Sequence, residues 1–263
     1  MDTRLRVAVH KFSSCDGCQL AFLNSGADLL RLMPRVEFVH FAEAGFIAPD
    51  APVDVAFVEG SISTPQDVER IERVRANSRY LVAIGACATA GGLQALRNDA
   101  DAAAWMAAVY PRPAEIGALP VSSAIASHVP VDEEVWGCPV NEWQLLHVLQ
   151  ARIFGVRPAI ENDKVCLECK RRQAVCVLVA QGAPCMGPVT HTGCGALCPR
   201  VRRACYACYG PAENPNAQAL AARFAQLGLA PAAIARRFLS INNAAPVFHE
   251  AGIVWRERHD DHA

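Results

Sequence analysis

Short apolar runs alternate with amphipathic stretches through the first 150 residues. Leu5–His10 (LRVAVH), Val36–Phe41 and Val53–Val58 are rich in β-branched side chains, and Tyr80–Ile84 is another such run. Runs of this length and composition predict buried strands. A weaker strand is expected at Ile116–Leu119. The first run breaks at Ser13–Ser14 and leads into a helical stretch from Gln19 to Leu32. Pro65 opens a polar helix over Gln66–Asn77, in which Val68, Ile71 and Val74 recur at three-residue spacing. Pro139–Phe154 supplies a closing helix. Apolar strands alternating with helices imply a parallel sheet covered on both faces.

The pattern lapses from about Pro158. Residues 160–210 hold eight cysteines among many Gly and Pro, with little periodicity beyond Val175–Ala180. A segment of this kind is expected to bury few apolar groups and to be held by metal sites. Helical periodicity returns in Ala217–Leu227 and Pro231–Leu239, rich in Ala and Arg.

A hydrophobic content of 52% over 263 residues is ample for a core, and a net charge of -1 gives no support to nucleic-acid binding. No apolar run reaches the roughly 18 residues of a transmembrane helix. The N-terminus runs straight into a strand-like stretch without a signal region, so a cytoplasmic address is expected. In that reducing compartment many cysteines mean metal or catalysis more often than disulfides.

There are 12 cysteines. Cys15 and Cys18 follow the first strand, Cys87 follows the YLVAIGAC strand, and Cys138 sits in a turn before the closing helix. Ligands of open α/β sheets lie outside the carboxyl ends of the strands, so these four thiols should converge on one sheet edge. The other eight, Cys166, Cys169, Cys176, Cys185, Cys194, Cys198, Cys205 and Cys208, are spaced C-x2-C-x6-C-x8-C-x8-C-x3-C-x6-C-x2-C. This near-palindrome suggests two sites related by a pseudo-two-fold, as in two-cluster ferredoxins. Four thiolates per cubane cluster make three [4Fe-4S] clusters the matching cofactor set. The simplest partition puts Cys166, Cys169, Cys176 and Cys185 on one later cluster and the rest on the other; order alone does not fix it. Zinc ribbons also use C-x2-C pairs. The prolines after Cys138 and Cys198, the long x6 and x8 spacers and the scattered set on a parallel sheet favour iron–sulfur. Gly17, Gly187, Gly193 and Gly195 leave room for amides near cluster sulfurs. Arg200, Arg202 and Arg203 either offset cluster charge or form a solvated face.

Longer motifs then match a family. SSCDGCQLAFLN (13–24), VEGSIST (58–64), IGACATAGG (84–92), GCPVNEWQLL (137–146), CLECKRR (166–172), GAPCMGPVTHTGCGALCP (182–199) and CYACYGPAENPN (205–216) together resemble the small, delta-type electron-transfer subunit of cytosolic NAD(P)-linked [NiFe] hydrogenases and sulfhydrogenases. That family is related to the quinone-facing iron–sulfur subunits of complex I. The resemblance implies an α/β chain in three parts: a flavodoxin-like domain over 1–157, a ferredoxin-like two-cluster module over 158–212, and a helical docking segment over 213–263. It implies that Cys15, Cys18, Cys87 and Cys138 bind a proximal cluster facing a Ni–Fe large subunit. The eight later cysteines would hold medial and distal clusters leading to flavin- and NAD(P)-binding, diaphorase-type partners. The complex would oxidise or evolve hydrogen, while this chain alone would not be catalytic.

Departures from relatives narrow the reading. With twelve thiols for three cubanes, His191 needs no ligand role, although periplasmic enzymes use a histidine. Complex I subunits carry adjacent cysteines where this chain has Cys15-x2-Cys18, which lowers the alternative of a quinone- or heterodisulfide-linked subunit without Ni–Fe. Glu59 either relays protons or orients a loop, or is a plain turn carboxylate. Glu142 suits a first helical turn. His10, His40, His128 and His147 lack metal spacing. No G-x-G-x-x-G occurs, so a dinucleotide site belongs elsewhere.

Overall fold

The computed structural model describes residues 4–260; the first three residues of the opening segment and the last three of the helical tail lie outside the described residues. Strands β1 (Leu5–Lys11), β2 (Val36–Phe41), β3 (Val53–Glu59), β4 (Ser78–Ile84) and β5 (Glu133–Val135) form one sheet in the order β2-β1-β3-β4-β5. Every neighbouring pair is parallel. This is the flavodoxin-like doubly wound order, whose direction reverses between β1 and β3 and opens a crevice there.

Six helices accompany the sheet: α1 (Gly17–Asn24), α2 (Ala27–Leu32), α3 (Pro65–Ala76), α4 (Gly85–Ala90), α5 (Ala102–Val109) and α6 (Glu142–Ile153). Alternate strand residues divide between two cores. Val7, Val9, Phe57, Val82 and Ile84 pack with Phe22, Leu29, Leu145 and Leu149 from α1, α2 and α6. Ala8, Ala56, Val58, Leu81 and Ala83 pack with Ile71 and Val74 of α3 on the other face. Both faces are buried, which is why the strands read as unbroken apolar runs. Each large apolar side chain so buried contributes on the order of 2 kcal/mol. Helix α3 starts where a capping box predicts: Thr64 Oγ1 accepts from the Asp67 amide, and Asp67 accepts from the Thr64 amide, both at 3.1 Å.

Two expectations are corrected. The stretch Gln19–Leu32 is two helices, broken at Ser25–Gly26, because the chain turns at Gly26 and lays Leu29 separately into the core. Ile116–Leu119 is not a strand. Leu119 packs against the α3-side core and its amide donates to the Ser63 carbonyl at 2.9 Å, and the fifth strand is Glu133–Val135, paired with Val82–Ile84.

Beyond residue 158 come short helices α7 (Val165–Arg171), α8 (Val177–Ala180) and α9 (Leu197–Arg200), then α10 (Ala217–Gln226), α11 (Pro231–Phe238) and α12 (Pro246–Asp260). The expectation that the cysteine-rich segment buries little is not met. Val177, Met186, Val189 and Cys205 share a third core with Phe224, Phe238, Phe248 and Trp255 of the last three helices. Asn242 adds a hydrogen bond from its Nδ2 to the Ala207 carbonyl at 2.7 Å.

One histidine pair, His10 buried and His40 half-buried, crosses neighbouring strands. The rings of His10 (β1) and His40 (β2) lie 4.7 Å apart between centroids. Burial, then the neighbouring His40 and Arg70, lowers the His10 pKa to about 3. Unfolded His10 takes up a proton near its ordinary pKa and the folded form refuses it, so stability falls as pH drops below that value. The slope is about 1.4 kcal/mol per pH unit. His10→Phe should therefore remove about 1.4 kcal/mol of the stability difference between pH 7.5 and 5.5, read from urea unfolding; an unchanged difference would assign the titration to other groups.

Candidate metal centres

The carboxyl ends of β1, β4 and β5 carry the first thiol group, and that of β3 carries Glu59. Cys15 lies in the turn after β1, and Cys18 is buried in the first turn of α1. Glu59, the last residue of β3, accepts from the Cys18 amide at 3.3 Å and the Gln19 amide at 2.8 Å. Of its alternative readings, orienting a loop describes these contacts: it anchors the start of α1. Burial raises its pKa, and those amides oppose the rise. Cys87 follows β4 on α4, its thiol 3.2 Å from Gln94 Oε1. Cys138 follows β5, and the Gly137 carbonyl accepts from the Ala86 amide at 2.7 Å, which ties the two turns together.

These four thiols act on one another. Burial pushes Cys87 up to about 12, helped by the charges of Cys138 and Cys15. Burial raises Cys18 and Cys138 as well, with further contributions from Cys87 and Cys138 on the first and from Cys15 on the second. Glycine is required beside two of them. At Gly85 (φ +86) a Cβ would fall 2.4 Å from the Cys18 sulfur, and at Gly92 (φ +61) 2.5 Å from the Cys87 sulfur.

The remaining thiols fall into two further groups. Cys166 and Cys169 on α7 approach Cys176 and Cys185; Cys169 is raised to about 12 by burial and then by Cys166, Cys185 and Cys176. Cys194, Cys198, Cys205 and Cys208 line a cavity of about 390 Å³ that Cys138 also borders. Burial, then Cys194, Cys138 and Cys198, raises Cys208 to about 12. Cys205 sits on the boundary, its amide donating to the Cys185 sulfur at 3.2 Å. The groups therefore form a row whose middle member is built from the last four cysteines in the chain. All twelve cysteines are free of disulfides.

A residue that sequence reasoning passed over joins the two later groups. Glu168 lies between Cys166 and Cys169, yet its carboxylate accepts from the amides of Gly193 (3.0 Å), Gly195 (3.1 Å) and Ala196 (3.0 Å) around Cys194. In the sequence it is one acid beside a basic run, indistinguishable from a solvated charge. His191 engages both ring nitrogens, with the Thr192 carbonyl at 2.7 Å and Asn162 Oδ1 at 2.9 Å, and neither is turned toward a thiol group. Glu142 occupies the first turn of α6 as expected.

Among the described residues no group of three His, Cys, Asp or Glu side chains is arranged to hold a single metal ion. Grouped soft donors, most of them partly or fully buried, whose ionisation needs a compensating cation suit iron–sulfur clusters.

Comparison with known proteins agrees with this architecture. Residues 15–152 match the family model described as NADH ubiquinone oxidoreductase, 20 Kd subunit. The chain is 34% identical over 216 residues to the sulfhydrogenase 2 subunit delta of Pyrococcus furiosus, covering 81% of this chain and 89% of that one. It is 30% identical over 169 residues to the delta subunit of the NAD-reducing hydrogenase HoxS of Cupriavidus necator, covering 58% of this chain and 80% of that one. A crystal structure of an NAD+-reducing [NiFe]-hydrogenase in the H2-reduced state superposes with a TM-score of 0.55 at 26% identity, over 59% of this chain and 94% of the other. The chain therefore belongs to the family of the NADH ubiquinone oxidoreductase 20 kDa subunit and, within it, to the small, delta-type subunits of hydrogenases. No described helix is long and apolar enough to cross a membrane.

Proposed function

We propose that this chain is the electron-carrying subunit of a cytoplasmic, bidirectional [NiFe] hydrogenase. It would link a Ni–Fe large subunit to a flavin- and NAD(P)-binding, diaphorase-type partner. Cys15, Cys18, Cys87 and Cys138 would hold the cluster nearest the large subunit. Cys194, Cys198, Cys205 and Cys208 would hold a middle [4Fe-4S] cluster, and Cys166, Cys169, Cys176 and Cys185 the far one. Bound there, the three clusters supply one-electron relay sites. The sheet domain over 1–157, the cysteine-rich module over 158–212 and the tail over 213–263 would divide the work into entry, transit and docking.

The observation that carries this reading is the continuity of the row. Cys138 borders the cavity of the middle group, and the Cys205 amide touches the Cys185 sulfur of the far group, so no gap separates successive sites. The chain's own groups prepare that path: Glu59 fixes α1, Glu168 fixes the Cys194 loop, and the third core keeps water from Cys205.

The test is anaerobic purification of the tagged chain with its native partners. Expected are about 12 iron atoms per chain and hydrogen-dependent reduction of benzyl viologen that disappears when the large subunit is stripped away. A three-cluster complex without nickel and without hydrogen-dependent activity would instead assign the chain to a quinone- or heterodisulfide-linked oxidoreductase.

A further inference from the structure

Charge is distributed very unevenly along this chain. Between Cys194 and His249 stand six arginines and one carboxylate, Glu213, whereas the whole chain carries -1. Five of those arginines come from two separate elements: Arg200, Arg202 and Arg203 at and after α9, and Arg236 and Arg237 on α11. Tyr206 brings the two sets together. Its ring lies 5.7 Å from the Arg203 guanidinium carbon and 5.2 Å from that of Arg237, and Arg203 Nη2 donates to its hydroxyl at 3.3 Å.

No carboxylate among the described residues pairs with any of the five. Among the described residues at least nine other basic side chains do have such partners, so the unpaired set is a local feature. A surface hollow of about 470 Å³ is lined by Tyr206, Arg236, Arg237 and Ser240, with no acidic residue in its wall. Tyr206 also lines the thiol cavity of the middle group. One exposed ring, 44% accessible, thus separates the thiols from an uncompensated cationic surface. Leu197 and Val201, also exposed, give that surface an apolar component. An aromatic and apolar centre with a basic surround is the complement of an acidic protein surface, and such complementarity governs encounter rate and orientation.

We propose that the face around Tyr206, with Arg200, Arg202, Arg203, Arg236 and Arg237, is the docking site of an acidic electron-carrier protein. This rests on the electron-carrying role proposed above. One electron passes from the hydrogen-reduced complex to the oxidised carrier, and no bond is made or broken. The middle thiol group, and not only the far end of the row, then serves as a point of exchange.

The experiment uses the intact complex and an acidic two-cluster ferredoxin. Binding of oxidised ferredoxin to oxidised complex is followed by calorimetry, separately from turnover. For the wild type, Kd should weaken by about tenfold or more between about 0.05 and 0.3 M salt. The triple variant Arg202→Glu, Arg203→Glu, Arg236→Glu should bind at least about tenfold more weakly at low salt and lose the salt dependence. The corresponding triple lysine variant should retain both, and hydrogen-dependent viologen reduction should be unchanged in all three. Wild-type ferredoxin binding by the glutamate variant overturns the proposal. Loss of the large subunit from that variant does so too, because the face would then belong to assembly. Specific binding of inorganic pyrophosphate, abolished in the variant, would mark a small-anion pocket and equally overturn it. Absence of viologen reduction in the wild type is a separate result and counts against the electron-carrying role itself.

Discussion

Cys87→Ser should lower hydrogen-dependent viologen reduction by at least about 100-fold, the upper end of what even outer-shell losses cost a metal site. Iron should fall by about a third if, as proposed, the first thiol group holds four of about twelve atoms. Cys87 stands on α4 directly after β4, held by Gln94, with Gly92 as close as a glycine allows. Of the later thiols, Cys185 and Cys205 belong to a core formed with α10, α11 and α12, distinct from the cores on the two faces of the sheet. The variant should therefore stay brown and keep the visible absorption of two clusters. Loss of all iron, measured by colorimetric assay on the purified chain, would show that the three groups form as one unit.

Glu168→Ala should be the most damaging change outside the cysteines. It leaves the amides of Gly193, Gly195 and Ala196 without their acceptor. Hydrogen bonds to a charged group are worth about 1.5–3 kcal/mol each. Because Glu168 is half-buried and water can replace part of the loss, a net cost on the order of 4 kcal/mol is expected. In a chain of this size that corresponds to a fall of about 10 °C in Tm. Glu168→Gln keeps one carbonyl oxygen, and Oε1 alone serves both Gly193 and Gly195, so its loss should be less than half as large. Thermal unfolding followed by circular dichroism under anaerobic conditions separates the three proteins. Equal Tm values would refute the clamp.

Local chemistry announced much of this. The strands β1 to β4 read as short apolar runs because both sheet faces are buried, and α3 declares itself through Pro65 and the spacing of Val68, Ile71 and Val74. The four scattered cysteines were readable as one edge because a parallel sheet sends every strand's carboxyl end the same way. What stayed hidden depended on partners distant in the chain. Glu133–Val135 is too short and too charged to look like a strand; β4 makes it one. Ile116–Leu119 has the composition of a strand and no ladder to join. The longest tail helix, Pro246–Asp260, was not distinguished within the tail. Glu168 and the His10–His40 pair acquire meaning only from loops and registers that folding supplies. Nor does cysteine order reveal which group lies in the middle.

That inversion bears on how the molecule is made. The Cys15–Cys138 and Cys166–Cys185 groups are fully synthesised before the first thiol of the bridging group emerges, and Asn242, which holds the Ala207 carbonyl, comes later still. A chain interrupted before Cys194 would contain both outer thiol groups of the proposed relay and nothing between them. On the proposed electron-carrying role, the current path would close last at its centre, and an immature subunit would be insulated by its own order of synthesis.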